Sequence, residues 1–254
     1  MLLWIDLETT GLVPGTDHVL EVAAVVTDDA LREVARFERV CYHSASRQLA
    51  ALPAECTDEQ ARAASKSIDP YVVKMHAANG LWSASATAGE DLASVDAQLA
   101  EFIAEHTEID ADPTSKNYGK PILPQLAGST ISFDRSFMAE DLPTALAAAH
   151  YRNLDVSSLN EMAKRFWPAV FENRPRAETA HRGMSDILAS IETARYYASA
   201  LQPSIAVPAF DPAMVSVCAA PQTFSVGAIV QRTTLTIDPD DIDAAVGKIG
   251  EEHA

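Results

Sequence analysis

The sequence predicts an α/β protein, a mixed sheet flanked by helices. Two observations lead there. Three apolar, β-rich runs follow one another within the first 43 residues, joined by short polar links. Helical spacing then alternates with short β-like segments up to about residue 201. Strands joined by tight links pair antiparallel, and later strands reached through helices add to the same sheet.

The elements read in order as follows. Leu2 to Leu7 is a buried strand, Val19 to Thr27 a second and Ala35 to His43 a third. Their links are Pro14-Gly15-Thr16-Asp17 and a short stretch opening with Asp28-Asp29, so the three form an antiparallel meander. Asp69 to Ala78 reads as a short helix with Pro70 in its first turn. Leu92, Val95, Leu99, Phe102 and Ile103 give Glu90 to His106 helical periodicity. Thr107 to Pro124 is polar and broken by Pro113, Gly119, Pro121 and Pro124, which marks a loop insertion. Helices follow near Phe133 to Glu140, Ser158 to Phe166 and Ser185 to Leu201, with Ser158 and Glu161 spaced as a capping box. Tyr151 to Leu154 reads as a further strand. From Pro203 the character changes, with Pro208, Pro212 and Pro221, a β-rich stretch from Phe224 to Ile237 and a helix start at Asp238. Residues 203–254 are therefore a C-terminal extension, and they carry no functional motif.

A chain of 254 residues, 48% hydrophobic, is long enough for one substantial domain and an appendage. No apolar run approaches the ~18 residues that span a bilayer, and acids at Asp6 and Glu8 replace the basic start of a signal peptide. Cys41, Cys56 and Cys218 are odd in number and irregularly spaced, which suits free thiols in a reducing cytoplasm. A net charge of −17 argues against a surface that grips long duplex nucleic acid. It is compatible with an acidic metal site acting on a short substrate, although most of these charges simply keep the surface hydrated.

Asp6 and Glu8 end the first apolar run. Side chains at i and i+2 share one face of a strand, so the two carboxylates stand together and repel. Hard divalent cations such as Mg²⁺ or Mn²⁺ remove that penalty; a solvated strand end is the ordinary alternative. Asp134 lies at a helix start, where the helix dipole alone would favour an acid. His181 and Asp186 are five residues apart, which on an unbroken helix would turn them ~140° from each other. They can converge only if His181 precedes the helix and Asp186 lies in its opening turns, and Gly183 and Ser185 make such a break plausible. A lone histidine is more commonly a surface or core residue.

The order of these residues, Asp-x-Glu on the first strand, Asp at a later helix start and His-x4-Asp at the last helix, resembles the DEDDh exonucleases. Within that superfamily the chain is similar to the oligoribonuclease family. Trp4-Ile5-Asp6-Leu7-Glu8-Thr9-Thr10-Gly11-Leu12 matches the family's first motif, with Thr9 in place of a usual methionine. Lys74-Met75-His76 with Gly80-Leu81 resembles its Thr-His and Ser-Gly-Leu segment. His150-Tyr151-Arg152-Asn153-Leu154-Asp155-Val156-Ser157-Ser158-Leu159 is the nearest match, a block absent from proofreading DNA exonucleases. Departures are Ser129-Thr130 for Asn-Ser and Phe133 for glutamine, both at positions that the resemblance places near the scissile nucleotide.

The resemblance spans about residues 1–200, apart from the insertion near 107–124, and leaves the extension without a counterpart. It implies an RNase H-like mixed five-stranded sheet flanked by helices, with residues 1–202 as the exonuclease domain. It implies 3′-5′ hydrolysis of short oligoribonucleotides to nucleoside 5′-monophosphates. Two Mg²⁺ or Mn²⁺ ions would sit on Asp6, Glu8, Asp134 and Asp186, with His181 as general base. Leu12 would wedge against the bases, Tyr71 would stack in place of a family tryptophan, and His76 would lie near the scissile nucleotide. Tyr151 and Arg152 would come from the partner subunit of a homodimer to close over the 5′ end, with Ser157 and Ser158 bonding the terminal phosphate. Apart from the resemblance, packing is the ordinary role of Leu12, Tyr71 and Tyr151.

Three other readings compete. A proofreading-like exonuclease on single-stranded DNA is favoured by Glu-Thr-Thr-Gly and Phe133 but opposed by the Tyr151–Ser158 block. A non-catalytic interaction module that kept the fold is opposed by the presence of all five catalytic positions. A doubly wound nucleotide-binding protein would need a Gly-x-Gly-x-x-Gly loop, which the chain lacks.

Overall fold

A central strand buried on both faces sets the architecture. The computed structural model describes residues 1–176 and 181–201. Its elements in order are β1 (Leu2–Thr9), β2 (Val19–Thr27), β3 (Glu33–Val40), α1 (Ser46–Leu49), α2 (Asp58–Ala64), α3 (Pro70–Ala78), α4 (Leu81–Ala88) and α5 (Leu92–His106). Then come β4 (Glu108–Ile109), β5 (Pro121–Ile122), β6 (Gln125–Gly128), α6 (Ile131–Asp141), α7 (Pro143–Ala147), β7 (His150–Asp155), α8 (Val156–Phe166), α9 (Pro168–Glu172) and α10 (Gly183–Ala200).

The main sheet has five strands in the order β3-β2-β1-β6-β7. β1, β2 and β3 form the expected antiparallel meander, while β6 and β7 join in parallel, so the sheet is mixed and helices flank it. β1 lies in the middle and is buried on both faces. Leu3, Ile5 and Leu7 pack with Val95, Leu99 and Ile103 of α5 and with Phe137 and Met138 of α6. Trp4 packs on the opposite face with Ala23, Val25, Ile187 and Ile191, which seats α10 over β1 and β2. The Trp4 indole N–H, buried by that packing, donates to Thr27 Oγ1 at 2.9 Å, so the indole nitrogen is not stranded.

Several boundaries differ from the sequence-based expectations, each for a local reason. β3 ends at Val40 rather than His43, because Tyr42 N–H turns to Glu90 O. α8 starts at Val156, not Ser158. Asp155 is its N-cap and accepts from Ser157 N–H at 2.8 Å, and an aspartate at the strand end satisfies the first orphan donor before Ser158 can. A capping box does form, but on α2 between Thr57 and Gln60. The insertion at 107–124 is not all loop: β4 and β5 pair as a two-stranded ladder, too short for periodicity to reveal. The expected strand at Phe224 to Ile237 and helix start at Asp238 lie outside the described residues. No helix among the described residues is long and apolar enough to cross a membrane.

Candidate active site

Asp6 and Glu8 occupy the Trp4 face of β1, so α10 comes down on top of them. α10 can approach because residue 183 is glycine: a Cβ there would lie 2.8 Å from Ala23 Cβ and 3.1 Å from Asp6 O. Asp186 is in the first turn of this helix. One oxygen each from Asp6, Glu8 and Asp186 falls within 4.8 Å of the others. His181 precedes the helix, so the break required to bring it to the side of Asp186 is present.

The segment that delivers these groups is anchored by a buried ion pair. Glu21, fully buried on β2, accepts from Arg182 Nε at 3.0 Å and Nη2 at 2.6 Å, and from Gly183 N–H at 3.0 Å. Neither residue is among the candidate catalytic positions of the sequence. The available signal was Glu21 itself, a charge inside the otherwise apolar run Val19 to Thr27, which in a buried strand requires a counter-charge.

Burial and crowding disfavour ionisation of Asp6 and Glu8. Burial, then the charges of Asp186 and Glu21, raises the Asp6 pKa to about 7. Burial, then Asp6, Glu21 and Asp186, raises that of Glu8 to about 8, with Arg182 opposing. Clustered, half-desolvated carboxylate oxygens of this kind fit a hard divalent cation, which would favour their charged forms.

Asp134 stands slightly apart. It lies in the first turn of α6 and is 4% exposed, and its Oδ1 accepts from Leu7 N–H at 3.0 Å. Burial first, then the charge of Asp6, holds its carboxyl well above the usual range. It therefore adjoins Asp6 but is not one of the three oxygens that converge.

Two clefts meet at His181. The first, of 690 Å³, is bordered by Glu8, Gly11, Leu12, Tyr71, Phe133 and His181. The second, of 680 Å³, is bordered by Cys56, Tyr71, Lys74, Met75, Asn79 and His181. Leu12 and Tyr71 are 76% and 66% exposed, as groups that await a ligand would be. The Leu12 turn is held by Asp17, whose Oδ2 accepts from Val13 N–H at 2.9 Å.

His76 sits inside the fold. It is completely buried, lines neither cleft, and donates from Nε2 to Thr9 O at 3.0 Å. Burial lowers its pKa to about 4, and Nε2 lies 4.0 Å from Glu8 Oε2, so a neutral ring stands beneath Glu8 and Thr9. Tyr151 and Arg152 are exposed on the outer strand β7 and border neither cleft, with the Arg152 guanidinium 5.4 Å from the Tyr151 ring centre. Ser157 Oγ lies 3.1 Å from Thr130 Oγ1, and Ser158 is exposed. The chain does not bring these four side chains to its own clefts.

The fold and its acidic group define the class: residues 3–62 match the family model described as Exonuclease. The relatives narrow it. The chain is 33% identical over 196 residues to the oligoribonuclease of Rhodococcus jostii (strain RHA1), covering 77% of this chain and 85% of that one. It is 32% identical over 233 residues to the oligoribonuclease of Mycobacterium bovis (strain BCG / Pasteur 1173P2), covering 92% and 94%. That alignment is longer than residues 1–202, so it takes in part of the extension that the sequence resemblance left unmatched. The chain belongs to the oligoribonuclease family and is a 3′-5′ exonuclease. Among solved structures, the zinc-bound form of E. coli exonuclease I with single-stranded DNA superposes with a TM-score of 0.50 at 15% identity. The match covers 79% of this chain but only 40% of that one, and it shows the shared fold.

Proposed function

We propose that the protein degrades short single-stranded oligoribonucleotides from the 3′ end to nucleoside 5′-monophosphates. Two divalent cations, Mg²⁺ or Mn²⁺, would be held by Asp6, Glu8, Asp134 and Asp186. The observation that carries this reading is the convergence of Asp6, Glu8 and Asp186 within 4.8 Å, beside a cleft that Glu8 and His181 both line. When bound, such cations supply an acidified water and stabilise the charge on the leaving oxygen.

The chain's own groups do the rest. His181 takes the proton from the attacking water, a task matched to an imidazole near neutral pH. Leu12 and Tyr71 hold the bases by contact and stacking. The clefts have the volume of small-ligand sites, which supports a short substrate over a long strand. Tyr151, Arg152, Ser157 and Ser158 act on the cleft of a partner subunit, a reading supported by their distance from their own. His76 supports Thr9 and Glu8 from below. Residues 1–202 form the exonuclease domain, with the insertion at 107–124, and 203–254 extend it. Buried, free Cys41 and Cys56 suit a reducing cytoplasm.

A length series tests the proposal: 3′-hydroxyl RNA and DNA from dinucleotides to 20-mers, with Mg²⁺, Mn²⁺ or EDTA. The expected result is metal-dependent release of monophosphates, fastest on two- to five-nucleotide RNA. Preference for the DNA 20-mer would select the proofreading-like alternative, and no hydrolysis with either metal would select a binding module. Mixing Tyr151→Ala with Asp6→Asn subunits should restore activity if the partner completes the site.

A further inference from the structure

His181 stands in the left-handed backbone region, with φ +48°, where residues other than glycine rarely settle. Such a conformation persists where surrounding bonds over-determine it. On its C-terminal side, the Glu21–Arg182 pair and the Gly183 N–H bond fix the chain. At His181 itself, the anchor is Asn79, whose Nδ2 donates to the His181 carbonyl at 2.6 Å.

Asn79 is well built for this task. Its backbone N–H donates to Met75 O at 3.1 Å, closing α3, and its Oδ1 accepts from Leu81 N–H at 3.0 Å, opening α4. The amide orientation follows from these partners, since a flipped amide would set donor against donor at Leu81 and acceptor against acceptor at His181. Both helices rest on a core in which Val73, Leu81 and Trp82 are fully buried, so the side chain projects from a rigid corner.

We infer that Asn79 is a positioning residue: by holding the His181 carbonyl it fixes the peptide in the left-handed form that points the imidazole at the cleft shared with Glu8. The inference rests on the reading of His181 as general base. Asn79 also borders the second cleft, so direct contact with substrate is the competing role, and capping α4 is another.

Asn79→Asp separates the three. Aspartate still accepts from Leu81 N–H but cannot donate to a carbonyl, whereas Asn79→Ala loses both bonds. The full-length protein is compared in wild-type and His181→Ala backgrounds, using a 5′-phosphorylated diadenylate with Mn²⁺. The His181 ring resonances are also followed by NMR in metal-free protein, assigned by their loss in His181→Ala. The expected result is that Asn79→Asp keeps the wild-type melting temperature, moves or broadens the His181 ring signals, and lowers kcat roughly 10- to 100-fold with KM little changed. In the His181→Ala background it should cost nothing further. An equal loss in both backgrounds would overturn the inference in favour of substrate contact. Unchanged ring signals and kcat in Asn79→Asp, with the melting temperature lowered only in Asn79→Ala, would reduce Asn79 to a helix cap. If His181→Ala keeps full activity the base assignment fails, yet the ring signals still decide whether Asn79 positions the imidazole. Should Asn79→Asp not fold, Asn79→Ser, a neutral acceptor too short to reach the carbonyl, replaces it.

Discussion

Glu8 and Glu21 are register partners across the β1–β2 ladder, and both are buried. Like charges directly opposite each other on one sheet face repel. The protein answers the two differently. Glu21 has a built-in counter-ion in Arg182, whereas Glu8 shares its space with Asp6 and Asp186 and is pushed to a pKa of about 8. A permanent cation therefore sits next to a place suited to an exchangeable one. The first organises the chain that carries His181 and Asp186, and the second is where chemistry is expected.

Arg182→Ala should be among the most destabilising single changes near the site. It leaves the Glu21 carboxylate, at 0% exposure, without its partner. Breaking a buried pair in this way costs roughly 3–5 kcal/mol, more than the pair itself contributes. Urea unfolding should show that loss, and the double change Glu21→Gln with Arg182→Met should recover most of it. A loss under about 1 kcal/mol in Arg182→Ala would mean that water reaches Glu21.

The metal-free protein should lose stability as pH rises from about 4 to 8. Asp6 and Glu8 have folded-state pKa values of about 7 and 8, against 3.8 and 4.5 for the free groups. The folded protein thus binds more protons than the unfolded chain across that window, so ∂ΔG/∂pH is negative there. The penalty is absent below both free values and complete above about pH 8. Unfolding in EDTA at pH 5 and pH 8.5 checks this, and Asp6→Asn should flatten the difference. A wild-type profile that rises across the window would contradict the crowding of these carboxylates.

Four of the five strands of the main sheet were legible because they are long or bounded by turn residues, whereas β6, four residues long, carries too little pattern to be read. Val19–Thr27 could be read from composition alone, while the helices of four to eight residues are too short to carry a period. The candidate acids stood out through their order, which resembles the DEDDh pattern; strand alternation and the helix break say only that Asp6 with Glu8, and His181 with Asp186, can share a side. What stayed hidden depends on tertiary approach. Nothing local says that Asn79 reaches His181, 102 residues on, or that His76 bonds Thr9, 67 residues before it. Asp134 was placed correctly on its helix, but its bond to Leu7 N–H, 127 residues away, is a long-range fact.

Asp186→Asn should abolish hydrolysis and the stabilisation that metal confers. The change replaces one of the three carboxylates whose oxygens converge. Millimolar Mg²⁺ or Mn²⁺ should then raise the wild-type Tm but leave the variant unmoved, since stabilisation by a ligand requires that it bind the folded state. Thermal melts with and without metal read the difference. Equal metal-induced shifts in the two proteins would place the cation elsewhere.

Tyr71 provides the last expectation. Its backbone is tied at the start of α3, where Tyr71 N–H donates to Asp69 Oδ1 at 2.7 Å, so the ring leans over both clefts from a fixed base. At 66% exposure it buries too little to be needed for folding, and Tyr71→Ala should melt like the wild type. If the ring stacks on a base, its loss removes about 1–3 kcal/mol of binding, which raises KM roughly 5- to 150-fold. kcat should stay nearly constant, because stacking acts on substrate and transition state alike. Tyr71→Phe, which keeps the ring, should behave as wild type. An unchanged KM in Tyr71→Ala would show that the ring faces the cleft without holding anything in it.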